Sequence, residues 1–329
     1  MTGRIPPILP GVAVCLAGAV LSWLLSRLLP GASPLLIAIL LGAVWGNLLP
    51  VPALLHKGVG VSAKNLLRAG IVLLGLQLSL SAVLELGPGA LLIVLLSVGV
   101  TFAATLWFGK LLGISFAQRL LIASGFSICG AAAVAATETA AGAKKTEVAT
   151  AIGLVVLFGT LMIPAVPFLG DLLGLSDTTL GIWIGASTHE VAQVVAAGDA
   201  VGSSALAVAV TVKLARVLTL APITAGIALH VRRKGLGTGG TFPPIVPLFI
   251  VGFVAAMLLR TAEVLPPSVL EIAQILQTLL LSAAMFALGL GVELRSLLRV
   301  GRRPVLLGLL ATLVILVVSL IGTVVLPLA

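Results

Sequence analysis

Apolar runs of about bilayer length follow one another along this chain, separated by short stretches where proline, glycine and basic residues gather. A helix needs about 20 apolar residues to cross the hydrocarbon core. The pattern predicts helices over 8–28, 34–49, 66–86, 88–109, 146–165, 205–230, 244–260, 269–293 and 304–327. Two further segments, 117–143 and 172–198, are apolar but interrupted. The first contains Gly125, Gly130, Gly142, several hydroxyl side chains and Glu138; the second reads GIWIGASTHEVAQVVAAGD over most of its length. Broken backbone at membrane depth is tolerated only where protein or a water-filled cavity surrounds it. The expected fold is therefore an all-α polytopic membrane protein of about 9–11 transmembrane helices, two of its segments discontinuous or re-entrant. Residues 1–329 read as one transmembrane domain with repeat-like halves at about 34–165 and 172–327, and Arg232–Thr241 as its one flexible connector.

Composition narrows the class. The chain is 60% hydrophobic and 9% charged, which a soluble domain does not sustain. The net charge of +9 invites a nucleic-acid reading, but no basic stripe interleaved with aromatics is present. The basic residues fall between apolar spans instead, where they set topology. If both interrupted segments cross, one side collects 13 basic residues and the other only Arg27, Lys144, Lys145 and Arg260; if both turn back, the split is 15 to 2. Either count puts the N-terminus in the cytoplasm and the C-terminus outside. Arg4 and the run RSLLRVGRR at 295–303 belong to the cytoplasmic set. Cys15 and Cys129 lie in apolar segments and form neither a disulfide framework nor a metal motif. Residues 8–28 lack a small-residue cleavage site and read as a retained helix rather than a signal peptide.

Internal similarity points to an inverted repeat. A shift of 214 residues aligns 65–87 with 279–301 without a gap; the pairs Gly75/Gly289 and Gly87/Gly301 carry the match, helped by Pro52/Pro266 and by identical leucines that include positions 294 and 298. A weaker match with an offset of 55 sets Gly130 over Gly185, Ala131 over Ala186, Glu138 over Gln193 and Pro167 over Pro222. Both matches are satisfied as antiparallel pairs only if neither interrupted segment crosses.

Several residue groups carry chemistry. His189 and Gln193 lie four apart and share a helical face, while Glu190 points about 100° away. Gln193 stands where a zinc HExxH motif needs its second histidine, so no metal site is expected. Lys213 and Arg216 sit three apart in an apolar span, near mid-bilayer. A cation there costs about 2.5–3.5 kcal/mol on insertion scales and requires partners, for which Glu138, Glu190, Asp199 or a bound anion are available. Half-helices starting near Cys129–Gly130 and Gly185–Ala186 would present free N–H groups and positive dipole ends to an anion, with Ser124, Ser127, Ser187 and Thr188 adding hydroxyls. The chain has no Walker A loop, no GxSxG and no paired acidic metal motif, so neither ATP-driven pumping nor lipid-acting enzymology is expected.

At these residues the chain resembles the YeiH-type bacterial inner-membrane proteins, a family described as sulfate exporters. SICGAAAVAA is similar to the family's ICGASA-type motif, GIWIGASTHEVAQVVAAG to its G-W-G-S-H-[DE]-x-x-Q-V-x-A-G motif, and VKLARV to its K-L-x-R motif. Where the family commonly has proline after the alanine-rich run, this chain has ATETAAGA with Glu138. The resemblance implies the cation:proton antiporter and anion transporter superfamily, discontinuous helices, and a secondary transporter of the bacterial inner membrane with no cofactor. The expected substrate is a small inorganic or organic anion, sulfate or a sulfonate in the family's description, coupled to H+ or Na+. A homo-oligomer is compatible with this class. Substrate contacts are expected from Ser127, Cys129, Gly130, Ala131, Gly185, Ser187, Thr188, Lys213 and Arg216, and coupling from His189, Glu190, Gln193 and Glu138. A sodium/proton antiporter using Glu138 and Glu190 is the alternative.

Overall fold

The structure is a computed structural model, and it describes residues 8–28, 34–233, 248–291 and 301–326. Helices account for nearly all of them, and no strand occurs among the described residues. In chain order they are α1 (Leu9–Leu28), α2 (Pro34–Leu48), α3 (Ala53–Gln77), α4 (Leu80–Glu85), α5 (Gly87–Leu111), α6 (Phe116–Cys129) and α7 (Ala131–Ala141). There follow α8 (Lys145–Leu172), α9 (Asp177–Ser187), α10 (Val191–Val201), α11 (Ser203–Leu218) and α12 (Leu220–Arg233). The last are α13 (Leu248–Thr261), α14 (Pro267–Leu290) and α15 (Arg302–Val325). Among the described residues, seven helical stretches are long and apolar enough to cross a membrane, α11 and α12 counting as one. The connector at Arg232–Thr241, Arg4, and matched positions 294 and 298 lie wholly or mostly outside the described residues.

One predicted span is displaced. The helix expected over 66–86 instead begins at Ala53, directly after Pro52, and ends at Gln77. His56, Lys57, Lys64 and Arg68 depress its hydropathy, so its first half reads as a loop in sequence. A π-helical turn over Ser62–Leu66 carries the helix through this stretch. Beyond Gln77, Ser79 caps the separate short α4 by accepting the N–H of Ala82 at 3.0 Å.

The chain forms two compact units, 1–77 with 252–298, and 78–251 with 299–329, so each half of the sequence contributes to both. The first unit is held by close helix approaches at glycine. A Cβ at Gly42 would lie 2.2 Å from the carbonyl of Phe286, and one at Gly46 2.5 Å from that of Leu290, so α2 and α14 pack almost backbone to backbone. The same unit contains a repeated contact. A Cβ on Gly75 would meet Phe253 O at 2.3 Å, and also Ala256 and Met257; a Cβ on Gly289 would meet Ile39 O at 2.3 Å, and also Gly42 and Ala43. Glycine and every neighbour are displaced by the same 214 residues. The spacing therefore relates packing surfaces as well as letters.

In the second unit, α5 and α15 run antiparallel: Ile93 packs on Gly322, and Leu307 approaches Gly109. Gly87 and Gly301, the other pair of the 214-residue match, open these two helices with φ of 78° and 71°. That left-handed geometry is what demands glycine at both positions. The remaining helices of this unit build the site.

Candidate functional site

The two interrupted segments each double back. In the first, α6 leads to a break at Gly130 and α7 returns. Gly125 lies against Val134 near the break, and Leu120 shares an apolar cluster with Ala140 and Ala141 further from it. Ser115, the N-cap of α6, donates its hydroxyl to Glu147 Oε1 at 2.5 Å, tying the open end to the start of α8. In the second, α9 and α11 run side by side in the same direction, Gly181 against Ala205 and Gly185 against Ala209. The intervening α10 runs oppositely, with Gly198 against Leu206. The chain therefore reverses at Thr188–Glu190. Ser204 Oγ donates to Asp177 Oδ2 at 3.3 Å across this second open end.

Helix α8 shows how the hairpins are arranged. Its first turn holds the open end of the first hairpin through Glu147, and Val155 lies beside Gly125. One turn on, Gly159 abuts the Gln193 side chain near the second tip; Met162 and Val166 join Trp183, Val194 and Ala197 in one cluster; Gly170 reaches Leu180. The hairpins thus enter from opposite ends of α8 and meet tip to tip near its middle. Each arm α7, α9 and α10 has 11 residues, about 16 Å of helix, roughly half a bilayer.

At the tips, helix ends of like polarity are gathered and matched by charge. The last carbonyls of α6 and α9 have no partner within their own helices. Lys213 and Arg216 of α11, both fully buried, take them up. The Lys213 ammonium donates to Ile128 O and Thr188 O, each at 2.9 Å, and to His189 O at 2.5 Å. Its three hydrogens are then used. Arg216 donates through one terminal nitrogen to Gly185 O (3.0 Å) and Thr188 O (2.9 Å), and through the other to Ser127 O (2.8 Å) and Phe126 O (3.4 Å). Its Nε–H has no partner among the described residues. The sequence offered carboxylates or a bound anion as partners of these cations; the structure gives them backbone carbonyls, the negative ends of two helix dipoles.

The positive ends face a carboxylate. Glu190 Oε1 accepts the N–H of Ala131, the first residue of α7, at 3.0 Å. The same side chain accepts the N–H of Gln193 in the first turn of α10, and Gln193 Oε1 accepts the Glu190 N–H at 3.0 Å, completing a capping box. Gly130 makes room for this. Its φ is 77°, and a Cβ there would lie 2.3 Å from Glu190 Cγ.

His189 is also fully buried. Its Nδ1 lies 3.2 Å from Phe126 O and its Nε2 3.1 Å from Thr312 Oγ1, so it links both tips to α15. A carbonyl accepts only, so Nδ1 carries hydrogen and donates to Phe126 O. The ring is then neutral if Thr312 donates to Nε2. The Thr312 hydroxyl also lies 2.9 Å from Gly308 O, to which it can donate instead.

Most of the residues singled out in sequence meet here, with three differences. First, the second helix start is at Val191, not at Gly185–Ala186; Gly185, Ala186 and Ser187 form the last turn of α9 and offer carbonyls rather than N–H groups. The 55-residue match misplaces this start because Gly185 looks like a break. It serves instead to let α11 approach, a Cβ there lying 2.4 Å from Ala209 O. The structural register is 60: Ser127 and Ser187 each donate to the carbonyl four residues back, at 2.5 and 2.6 Å, and Gly142 and Gly202 each follow the return arm at positive φ. Second, those serine hydroxyl protons are thereby spent, whereas Thr188 Oγ1 is buried without a partner among the described residues. Third, Glu138 lies two turns along α7 from the tip, away from the junction. Cys129 is buried at the first tip as a free thiol. No group of three or more metal-ligating side chains occurs among the described residues. Thr312, which sequence reading did not single out, has no signal in its apolar helix.

The profile of the family described as "Conserved hypothetical protein 698" matches residues 10–308, and the chain belongs to this family. A UPF0324 membrane protein of Corynebacterium glutamicum is 46% identical over 323 residues, covering 98% of this chain and 94% of the relative. A UPF0324 membrane protein of Pseudomonas aeruginosa is 40% identical, covering 92% and 87%, and the UPF0324 inner membrane protein YeiH of Salmonella typhimurium 39%, covering 85% and 82%. No solved structure matches the chain. The protein is thus a multi-helix membrane protein of the UPF0324 family.

Proposed function

We propose that this protein is a secondary transporter of a small anion in the bacterial inner membrane, sulfate or an organic sulfonate being the substrate its family resemblance implies, and that it is not an enzyme. The observation that carries the reading is the bond from the Ala131 N–H to the Glu190 carboxylate. Glu190 occupies, from within the chain, the place where two helix N-termini favour an anion. Two basic side chains, Lys213 and Arg216, bind the carbonyl ends of the same two tips, against one carboxylate. A substrate anion takes over the helix ends when Glu190 is protonated or withdraws, which couples anion movement to proton movement. The hairpins are re-entrant from opposite faces in this reading, so rocking of the helices around the junction exposes it alternately to each side, as in inverted-repeat transporters. The distribution of loop charge supports a cytoplasmic N-terminus and a C-terminus outside.

The test is uptake into proteoliposomes of radiolabelled sulfate, sulfite, taurine and acetate, with and without a pH gradient. Protein-dependent uptake of at least one anion, altered by the gradient, is expected. Sodium–proton exchange with no anion uptake would replace this reading with cation antiport through Glu190.

A further inference from the structure

The first turn of α10 holds more hydrogen-bond donors than the fold uses. The N–H of Val191, the first position of the helix, has no acceptor within it. Gln193, in the same turn, is 1% exposed and its Nε2 has no hydrogen-bond partner among the described residues. The orientation of this amide is not arbitrary. Its oxygen accepts the Glu190 N–H at 3.0 Å, so the nitrogen cannot exchange places with it. Thr188 Oγ1, two residues before the cap, is 0% exposed and likewise unpartnered. A buried amide N–H2 without an acceptor costs stability, and native proteins rarely keep one without cause. Here it stands in the first turn of a helix, at its positive end, five residues after the Thr188 hydroxyl in the chain.

We propose that Gln193 is the specificity-determining donor for the transported anion. Its Oε1 holds the hairpin tip in shape, and its Nε2 donates to an oxygen of the substrate, with the α10 N-terminus and the Thr188 hydroxyl completing the contact. The site therefore selects an oxyanion with an unprotonated oxygen, as in a sulfate, sulfonate or carboxylate. This rests on the anion-transport reading and adds to it the group that reads the substrate.

Two substitutions separate the roles of the amide. Gln193→Glu keeps an oxygen to accept the Glu190 N–H but loses the donor, which returns only when the new carboxyl is protonated. Gln193→Met fills similar volume with neither group. The measurement is concentration-dependent uptake of the same four labelled anions by purified protein in liposomes over a range of external pH. Each variant is also checked for melting temperature and for a monodisperse elution profile. For the anion that the unaltered protein carries, Gln193→Met is expected to raise the apparent KM about ten- to hundredfold with Vmax within about twofold, the effect of losing a hydrogen bond to a charged group. Gln193→Glu is expected to show a comparable rise near neutral pH and to recover, relative to the unaltered protein, as pH falls. A KM within twofold of the unaltered protein for a folded Gln193→Glu at neutral pH overturns the role of Gln193 and leaves anion transport standing. Failure of the unaltered protein to move any of the four anions overturns both.

Discussion

The Ala131 N–H donates to Glu190 Oε1 at 3.0 Å, joining the tips of two helical hairpins that lie 59 positions apart in the chain. The bond brings one carboxylate to the starts of α7 and α10, while Lys213 and Arg216 hold the ends of α6 and α9. Positive helix ends meet negative charge and negative ends meet positive charge within one junction. Removing Glu190's charge while keeping its shape tests this. Glu190→Gln should fold, since an amide oxygen still accepts the Ala131 N–H, and should transport the substrate anion with little response to a pH gradient. Uptake as pH-sensitive as that of the unaltered protein would assign coupling elsewhere, with His189 the nearest candidate.

Arg216 carries four donor bonds to carbonyls at the two tips. Lysine has three hydrogens on a single nitrogen and cannot span Gly185 and Ser127 together in the fork geometry that guanidinium provides. Each carbonyl left unpaired in the interior costs about 1–3 kcal/mol. Arg216→Lys should therefore lower the melting temperature of the purified protein by at least about 5 °C, and Arg216→Met by more. Unchanged melting for both would mean that the carbonyls find other partners.

Gly130 is held at φ 77° with Glu190 Cγ in the place its own Cβ would take. Gly130→Ala combines an unfavourable backbone with a steric conflict that Glu190 can relieve only by leaving the Ala131 N–H. Loss of transport greater than that of Glu190→Gln is expected in uptake assays. Full activity would show that the junction is not needed in this form.

Much of this architecture is legible in the chain, for physical reasons. Apolar length fixes most helices, and the 214-residue match pairs Gly75 with Gly289, whose close contacts in the structure are displaced by the same spacing. The cluster of His189, Glu190, Gln193, Lys213 and Arg216 stands out because polar groups are costly in hydrocarbon. The start of α3 is hidden by charges that its helical path carries without difficulty. The register of the hairpins is hidden because glycine has two uses: Gly130 permits a break, Gly185 permits close packing, and composition does not tell them apart. Glu138 draws attention as an acid in an apolar segment, yet two turns of helix separate it from the junction.

The repeated contact in the first unit gives a separate prediction. A Cβ at Gly75 or at Gly289 would meet a carbonyl oxygen at the same 2.3 Å. Gly75→Val and Gly289→Val should reduce the yield of monodisperse protein to a similar degree, read by size-exclusion chromatography. A severe effect at one and none at the other would break the equivalence.

In the proposed transport cycle the substrate anion passes the junction of the two tips, reached in turn from both sides of the membrane. Val191→Cys, in a background with Cys15 and Cys129 replaced by alanine, places one thiol at the start of α10. Its labelling by a membrane-impermeant maleimide can be followed in right-side-out and inside-out vesicles, with and without sulfate or whichever anion the uptake assay identifies. Labelling from both sides is expected, with protection by that anion in both. Labelling from one side only, unaffected by the anion, would contradict it.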